Sequence, residues 1–165
     1  MPALAFLGLF ETLFGWLRQA ASSYGTLPIV CLVQDLLPWG RMTGSLATVL
    51  ICDDEPSLRE LIRISLGGSY SFAEADDGQK SLEIARSLRP DVVILDMMMP
   101  RLSGLDVLRE IRGDRALSAT QVIVLTAQPA TKDEALRSGA DVVMVKPFEP
   151  TQIQAAVKEL LESRP

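Results

Sequence analysis

Residues 91–104 read DVVILDMMMPRLSG. An apolar run, Val92 to Leu95, ends on a carboxylate, Asp96, and three methionines, a proline and a glycine follow. A continuous apolar run of this kind reads as a strand covered on both faces. Such a strand delivers a single acid to its tip and turns at once. What that acid does depends on which other residues can reach it.

Working outward, the same pattern recurs. Residues 46–53 (LATVLICD) form a β-branched apolar run ending in acids. Residues 56–68 (PSLRELIRISLGG) have helical spacing, with Leu58, Leu61, Ile62 and Leu66 on one face, Pro56 at the start and Gly67 at the end. Residues 70–75 (YSFAEA) read as an edge strand, and Asp76 and Asp77 before Gly78 as turn chemistry. Residues 78–90 (GQKSLEIARSLRP) place Leu82, Ile84, Ala85 and Leu88 at helical spacing and stop before Pro90. Downstream, 104–114 (GLDVLREIRGD) form a helix with Leu105, Leu108 and Ile111 inward, and 121–127 (QVIVLTA) form a strand. Residues 131–140 (TKDEALRSGA) form a helix closed by Gly139, and 141–147 (DVVMVKP) a strand. The last helix is 149–163 (EPTQIQAAVKELLES), with Pro150 in its first turn. Strict β-α alternation implies parallel strands, right-handed crossovers and helices on both faces. The expected fold is α/β, a doubly wound five-stranded parallel sheet spanning residues 46–163.

Residues 1–45 differ in character. They form an apolar N-terminal extension, whose first 40 residues have few charges (Glu11, Arg18, Asp35) and scattered Gly and Pro. Apolar side chains point all round a helix drawn there, and Gly8 and Gly15 weaken it. Charges and Pro/Gly breaks argue against a membrane span, and the basic start of a secretory signal is absent. Three readings stand for it: a membrane-surface or partner-binding helix, a packed extension, or sequence outside the natural protein, with Met42 as a start.

Composition narrows the chemistry. Hydrophobic residues make up 48% of the 165, enough for a real core. The net charge of −5, with no Lys/Arg cluster, argues against phosphate-backbone binding, and no direct nucleic-acid contact is expected. There is no histidine, which removes Ser-His-Asp and Cys-His catalysis and most zinc sites. Cys31 and Cys52 have no disulfide or metal spacing, which fits a reducing, cytoplasmic setting, and Cys52 reads as a small buried hydrophobe.

In doubly wound folds the site lies at the carboxyl ends of the strands. Those ends carry Asp53, Asp54 and Glu55 after the first strand, Asp96 after the third, Thr126 after the fourth and Lys146 after the fifth. Carboxylates crowded together repel and raise one another's pKa unless a cation joins them. Oxygen ligands without histidine suit Mg²⁺ rather than zinc. An aspartate in such a pocket can attack phosphorus, with Lys146 and Mg²⁺ neutralising the phosphoryl charge and Thr126 bonding a phosphoryl oxygen.

From about Leu46 to Ser163 the chain resembles the receiver domain of bacterial two-component response regulators. The pieces CDDEP (52–56), DMMMPRLSG (96–104), LTA (125–127) and KPF (146–148) stand in that family's order and spacing. The resemblance implies the flavodoxin-like strand order 2-1-3-4-5. It implies Asp96 as phosphoacceptor from a phosphohistidine on a sensor histidine kinase or histidine phosphotransfer protein. It implies Mg²⁺ held by Asp53, Asp54, Asp96 and the Met98 backbone carbonyl, with Thr126 and Lys146 on the phosphoryl oxygens. It also implies a commonly cis Lys146–Pro147 bond. The sequence departs from the family at Val143, where many receivers carry a switch aromatic that a β-branched side chain cannot imitate.

The expected activity is a phosphoryl-accepting switch, enzymatic at most in phosphorylating and dephosphorylating itself. No output domain follows Pro165, so a stand-alone receiver, or one cut from a longer chain, is expected. Output would then be protein binding on the face of helix four, strand five and helix five. Two alternatives compete: an Asp-nucleophile, metal-dependent phosphohydrolase and a phosphorylation-independent scaffold. The phosphohydrolase would want D-x-D on the first strand, where this chain has DDE. A flavodoxin-like cofactor site fails because acids after the first strand would repel a phosphate.

Overall fold

The computed structural model describes residues 46–163, and the apolar extension lies outside the described residues. Five parallel strands form one sheet: β1 (Ala47–Cys52), β2 (Tyr70–Ala75), β3 (Val92–Asp96), β4 (Gln121–Thr126) and β5 (Val142–Val145). Their order is β2-β1-β3-β4-β5, as the resemblance implies. Five helices connect and close them: α1 (Pro56–Leu66), α2 (Gly78–Leu88), α3 (Gly104–Gly113), α4 (Lys132–Arg137) and α5 (Pro150–Glu162). The chain leaves β1 toward β2 on one side, then returns past it to β3 on the other. That reversal opens a crevice at the tips of β1 and β3.

The continuous apolar strands are explained by two cores, one on each face of the sheet. Val49, Ile51, Val92, Ile94, Ile123 and Leu125 meet α1 and α5 through Ile62, Leu66, Ile153 and Val157. The alternate residues Leu50, Cys52, Val93, Leu95, Val122 and Val124 meet α2, α3 and α4 through Leu82, Ala85, Val107, Leu108, Ile111 and Ala135. Burying each Leu or Ile contributes roughly 1.5–3 kcal/mol. Cys52 is fully buried, and burial pushes its thiol up to about 12, so it packs as a small hydrophobe.

Local signals fix the helix starts. Pro56 and Pro150 occupy first helical positions. Asp77 caps α2 by accepting the Lys80 N–H at 2.9 Å, and Ser103 caps α3 by accepting the Asp106 N–H at 3.3 Å. At the far end of α1, Gly67 turns the chain with φ of 71°.

The inner helix faces differ in part from the sequence reading. Leu61 and Leu88 are each 45% exposed. On α1 the inward stripe runs Leu58, Ile62 and Leu66, and Leu61 is turned about 100° from Ile62, toward water. On α2, Ile84 is only half-buried, and on α3 Val107 is buried while Leu105 is half-buried. Among the described residues, no helix is long and apolar enough to cross a membrane.

Candidate functional site

Strand register makes the tips level. Cys52 lies beside Leu95, Asp96 beside Leu125, and Thr126 beside Val145. One more step along β1 sets Asp53 next to Asp96, and one more step along β5 brings Lys146 past the tip of β4. The Lys146 N–H donates to the Thr126 carbonyl at 2.8 Å, which anchors the lysine's backbone to β4. The Lys146–Pro147 bond that follows is cis.

One ammonium joins two strands' acids. Lys146 Nζ lies 2.8 Å from Asp53 Oδ2 and 2.6 Å from Asp96 Oδ1. Both carboxylates are buried. Their second oxygens are also satisfied: Asp53 Oδ1 accepts the Glu55 N–H at 2.9 Å, and Asp96 Oδ2 accepts the Met98 N–H at 2.7 Å. Asp54 stands exposed at the rim. Burial raises the Asp96 pKa above the ordinary carboxylate value, and the neighbouring Asp53 charge adds to it; Lys146 and the Met98 N–H work against the rise. Burial works against the Lys146 charge, yet the two carboxylates outweigh it and raise its pKa.

The turn after β3 is built for close approach. A Cβ on Gly104 would lie 2.1 Å from the Asp96 carbonyl oxygen, so the start of α3 can sit against the acid's backbone only with glycine there. The Gly104 N–H donates to the Met97 carbonyl at 3.1 Å and closes the turn. Met97 and Met99 pack against the α2–α3 core, whereas Met98 is 68% exposed. The methionine triplet therefore divides into two packing residues and one surface residue.

Thr126 is buried at the tip of β4, but its hydroxyl faces its own loop. Its Oγ1 accepts the Gln128 N–H at 3.0 Å and lies 2.8 Å from Thr131 Oγ1. Val143 is half-buried against the α2–α3 core.

Sequence reasoning missed three residues around these tips. Arg59 of α1 donates to the Asp53 carbonyl at 2.8 Å and pairs with Glu74 at 2.9 Å. Arg101, at φ of 68°, pairs with the buried Asp77 and ties the β3–α3 turn to the start of α2. Thr131 holds the Thr126 hydroxyl.

The donor set suits a hard divalent ion. The groups near Asp96 are carboxylate and carbonyl oxygens, and the pocket already attracts a cation in the form of Lys146 Nζ. Among the described residues no three Asp, Glu, Cys or His side chains form a ready-made cage.

A doubly wound parallel sheet in the order β2-β1-β3-β4-β5, with acids, a threonine and a lysine at the carboxyl ends of its strands, defines a flavodoxin-like α/β domain. The chain belongs to the response regulator receiver domain family, which matches residues 49–158. The DNA-binding response regulator MtrA of Mycolicibacterium smegmatis is 41% identical over 116 residues, covering 68% of this chain and 50% of MtrA. The chain thus spans about half the length of the curated relatives it matches. Among solved structures, the receiver domain of NarL from Mycobacterium tuberculosis is 33% identical with a TM-score of 0.65, covering 72% of this chain and 98% of that one. The chemotaxis response regulator CheY4 of Vibrio cholerae is 29% identical with a TM-score of 0.66, covering 70% and 99%.

Proposed function

We propose that residues 46–163 act as a phosphoryl-accepting switch, with Asp96 as the acceptor and a phosphohistidine on a sensor histidine kinase or histidine phosphotransfer protein as the donor. The observation that carries this is the single Lys146 ammonium held 2.8 Å from Asp53 and 2.6 Å from Asp96. A carboxylate oxygen of Asp96 attacks phosphorus, the P–N bond breaks, and the electron pair leaves on the imidazole nitrogen. Lys146 stays beside the acceptor and neutralises charge on the phosphoryl oxygens. Thr126 turns its hydroxyl from its loop toward one of those oxygens. When bound, Mg²⁺ would supply further charge neutralisation, held by Asp53, Asp54, Asp96 and the Met98 carbonyl.

Output is proposed at the face of α4, β5 and α5, by protein contact. MtrA is named a DNA-binding regulator, but the similarity extends over half of its length. The acidic balance of this stretch favours a protein partner over DNA. With Val143 in place of a ring, the change at the acid site reaches β5 through the Thr126 loop rather than by aromatic rotation.

Acetyl phosphate with Mg²⁺, followed by intact-mass measurement, tests this reading. One added phosphoryl group in the wild type and none in Asp96→Asn is expected. An unchanged mass in the wild type, or equal uptake by the variant, contradicts it.

A further inference from the structure

The loop after β4 contains a closed set of hydroxyl bonds beside the acid site. Thr131 Oγ1 donates to the Gln128 carbonyl at 2.8 Å. The same oxygen lies 2.8 Å from Thr126 Oγ1. The Gln128 N–H donates back to Thr126 Oγ1 at 3.0 Å.

Proton counting decides the directions. A threonine hydroxyl has one proton and two acceptor lone pairs. Thr131 spends its proton on the Gln128 carbonyl, so in the Thr126–Thr131 pair the proton comes from Thr126. The opposite assignment has Thr131 donate to Thr126, and Thr126 then points its proton at the Gln128 carbonyl, 3.3 Å away. The first arrangement uses the two 2.8 Å contacts in place of the 3.3 Å one, and in it the only proton of Thr126 is consumed within residues 126–131. A phosphoryl oxygen on Asp96 needs that same proton.

We propose that Thr131 is a positioning residue that competes with the phosphoryl group for the Thr126 hydroxyl and so holds the switch in its unphosphorylated state. This rests on the reading of Asp96 as phosphoacceptor. With Thr126 as the donor to Thr131, phosphorylation must break that bond before Thr126 can bond the new group. The part of the phosphoryl binding spent on that exchange is lost from the stability of the phosphorylated form. In a chain with Val143 on β5, this latch ties the acid site to the segment leading into α4, which begins at Lys132.

The test uses the full chain with Thr131→Val and Thr131→Ser, acetyl phosphate and Mg²⁺. Valine keeps the β-branched shape and removes the hydroxyl; serine keeps the hydroxyl and removes the methyl group. Intact mass gives the phosphorylated fraction at steady state and its decay after the phosphodonor is removed. Losing one competing hydrogen bond predicts about a three- to tenfold rise in the ratio of phosphorylated to free protein for Thr131→Val. Thr131→Ser should stay close to the wild type, which a purely packing role for the residue would not produce. Unchanged phosphorylation in Thr131→Val, or equal changes in both variants, overturns the latch while leaving Asp96 as acceptor. Absence of uptake in the wild type overturns the acceptor reading, and the latch falls with it.

Discussion

The two ends of the β-sheet handle charge in opposite ways. At the amino ends of β4 and β5, each of the three guanidinium nitrogens of Arg112 of α3 has a partner. Its Nε donates to the Gly139 carbonyl at 2.7 Å, one terminal nitrogen to the Thr120 carbonyl at 2.7 Å, and the other to Asp141 at 2.6 Å. Asp141 also accepts the Val122 N–H at 2.6 Å. One cation faces one carboxylate, and two further N–H groups meet backbone oxygens. At the carboxyl ends, one ammonium is shared by Asp53 and Asp96, with Asp54 at the rim. The first arrangement is closed and fastens loops. The second retains an excess of negative charge and suits a further cation and a group that arrives and leaves. A buried charged cluster on its own therefore says little; its balance separates a fastener from a site.

The sharpest way to break this contrast is to remove each cation. Lys146→Met should lower the initial rate of phosphoryl uptake from acetyl phosphate by about a hundredfold, the scale of losing one preorganised charge-stabilising group. A rate near that of the wild type would place the lysine outside the chemistry. Arg112→Ala should leave uptake unchanged at low temperature and reduce unfolding stability by about 2–3 kcal/mol, because two carbonyls and a carboxylate lose their donor. Urea denaturation measures this, and an unaltered midpoint would show that the staple contributes nothing. A smaller effect sharpens the comparison further. Mg²⁺ at about ten times its dissociation constant should stabilise the wild type by about 1.4 kcal/mol. Asp54→Asn should lose most of that gain, whereas Arg112→Ala should keep it. Equal thermal shifts in wild type and Asp54→Asn would argue against Asp54 as a ligand.

Much of this is legible in the amino-acid sequence. Continuous apolar runs such as VVIL and VIVL announced strands covered on both faces, and their acidic, hydroxyl and lysine endings announced a site. Pro56, Pro150 and Gly67 marked helix limits because their backbone preferences are local. The inner faces of helices were less legible. Leu61 carries the same side chain as Leu58, and only the direction of α1 against β1 decides which one meets the core. Val107 does not stand out in the sequence because Leu105, Leu108 and Ile111 already make a complete stripe. Arg59, Arg101, Arg112 and Thr131 left almost no trace in the sequence, because each acts through a single hydrogen-bonding geometry set by tertiary packing, without periodicity. The partnership of Lys146 with Asp53, 93 residues apart, needed the strand order before it could be drawn.

The most direct measurement locates the phosphoryl group itself. Acetyl-phosphate-treated protein can be reduced with borohydride, which converts an aspartyl phosphate to homoserine, and the peptides then sequenced by mass spectrometry. The account predicts homoserine at position 96 and unmodified aspartate at positions 53 and 54. Homoserine at 53 or 54, or at no position in a protein that is fully folded and supplied with Mg²⁺, would contradict it.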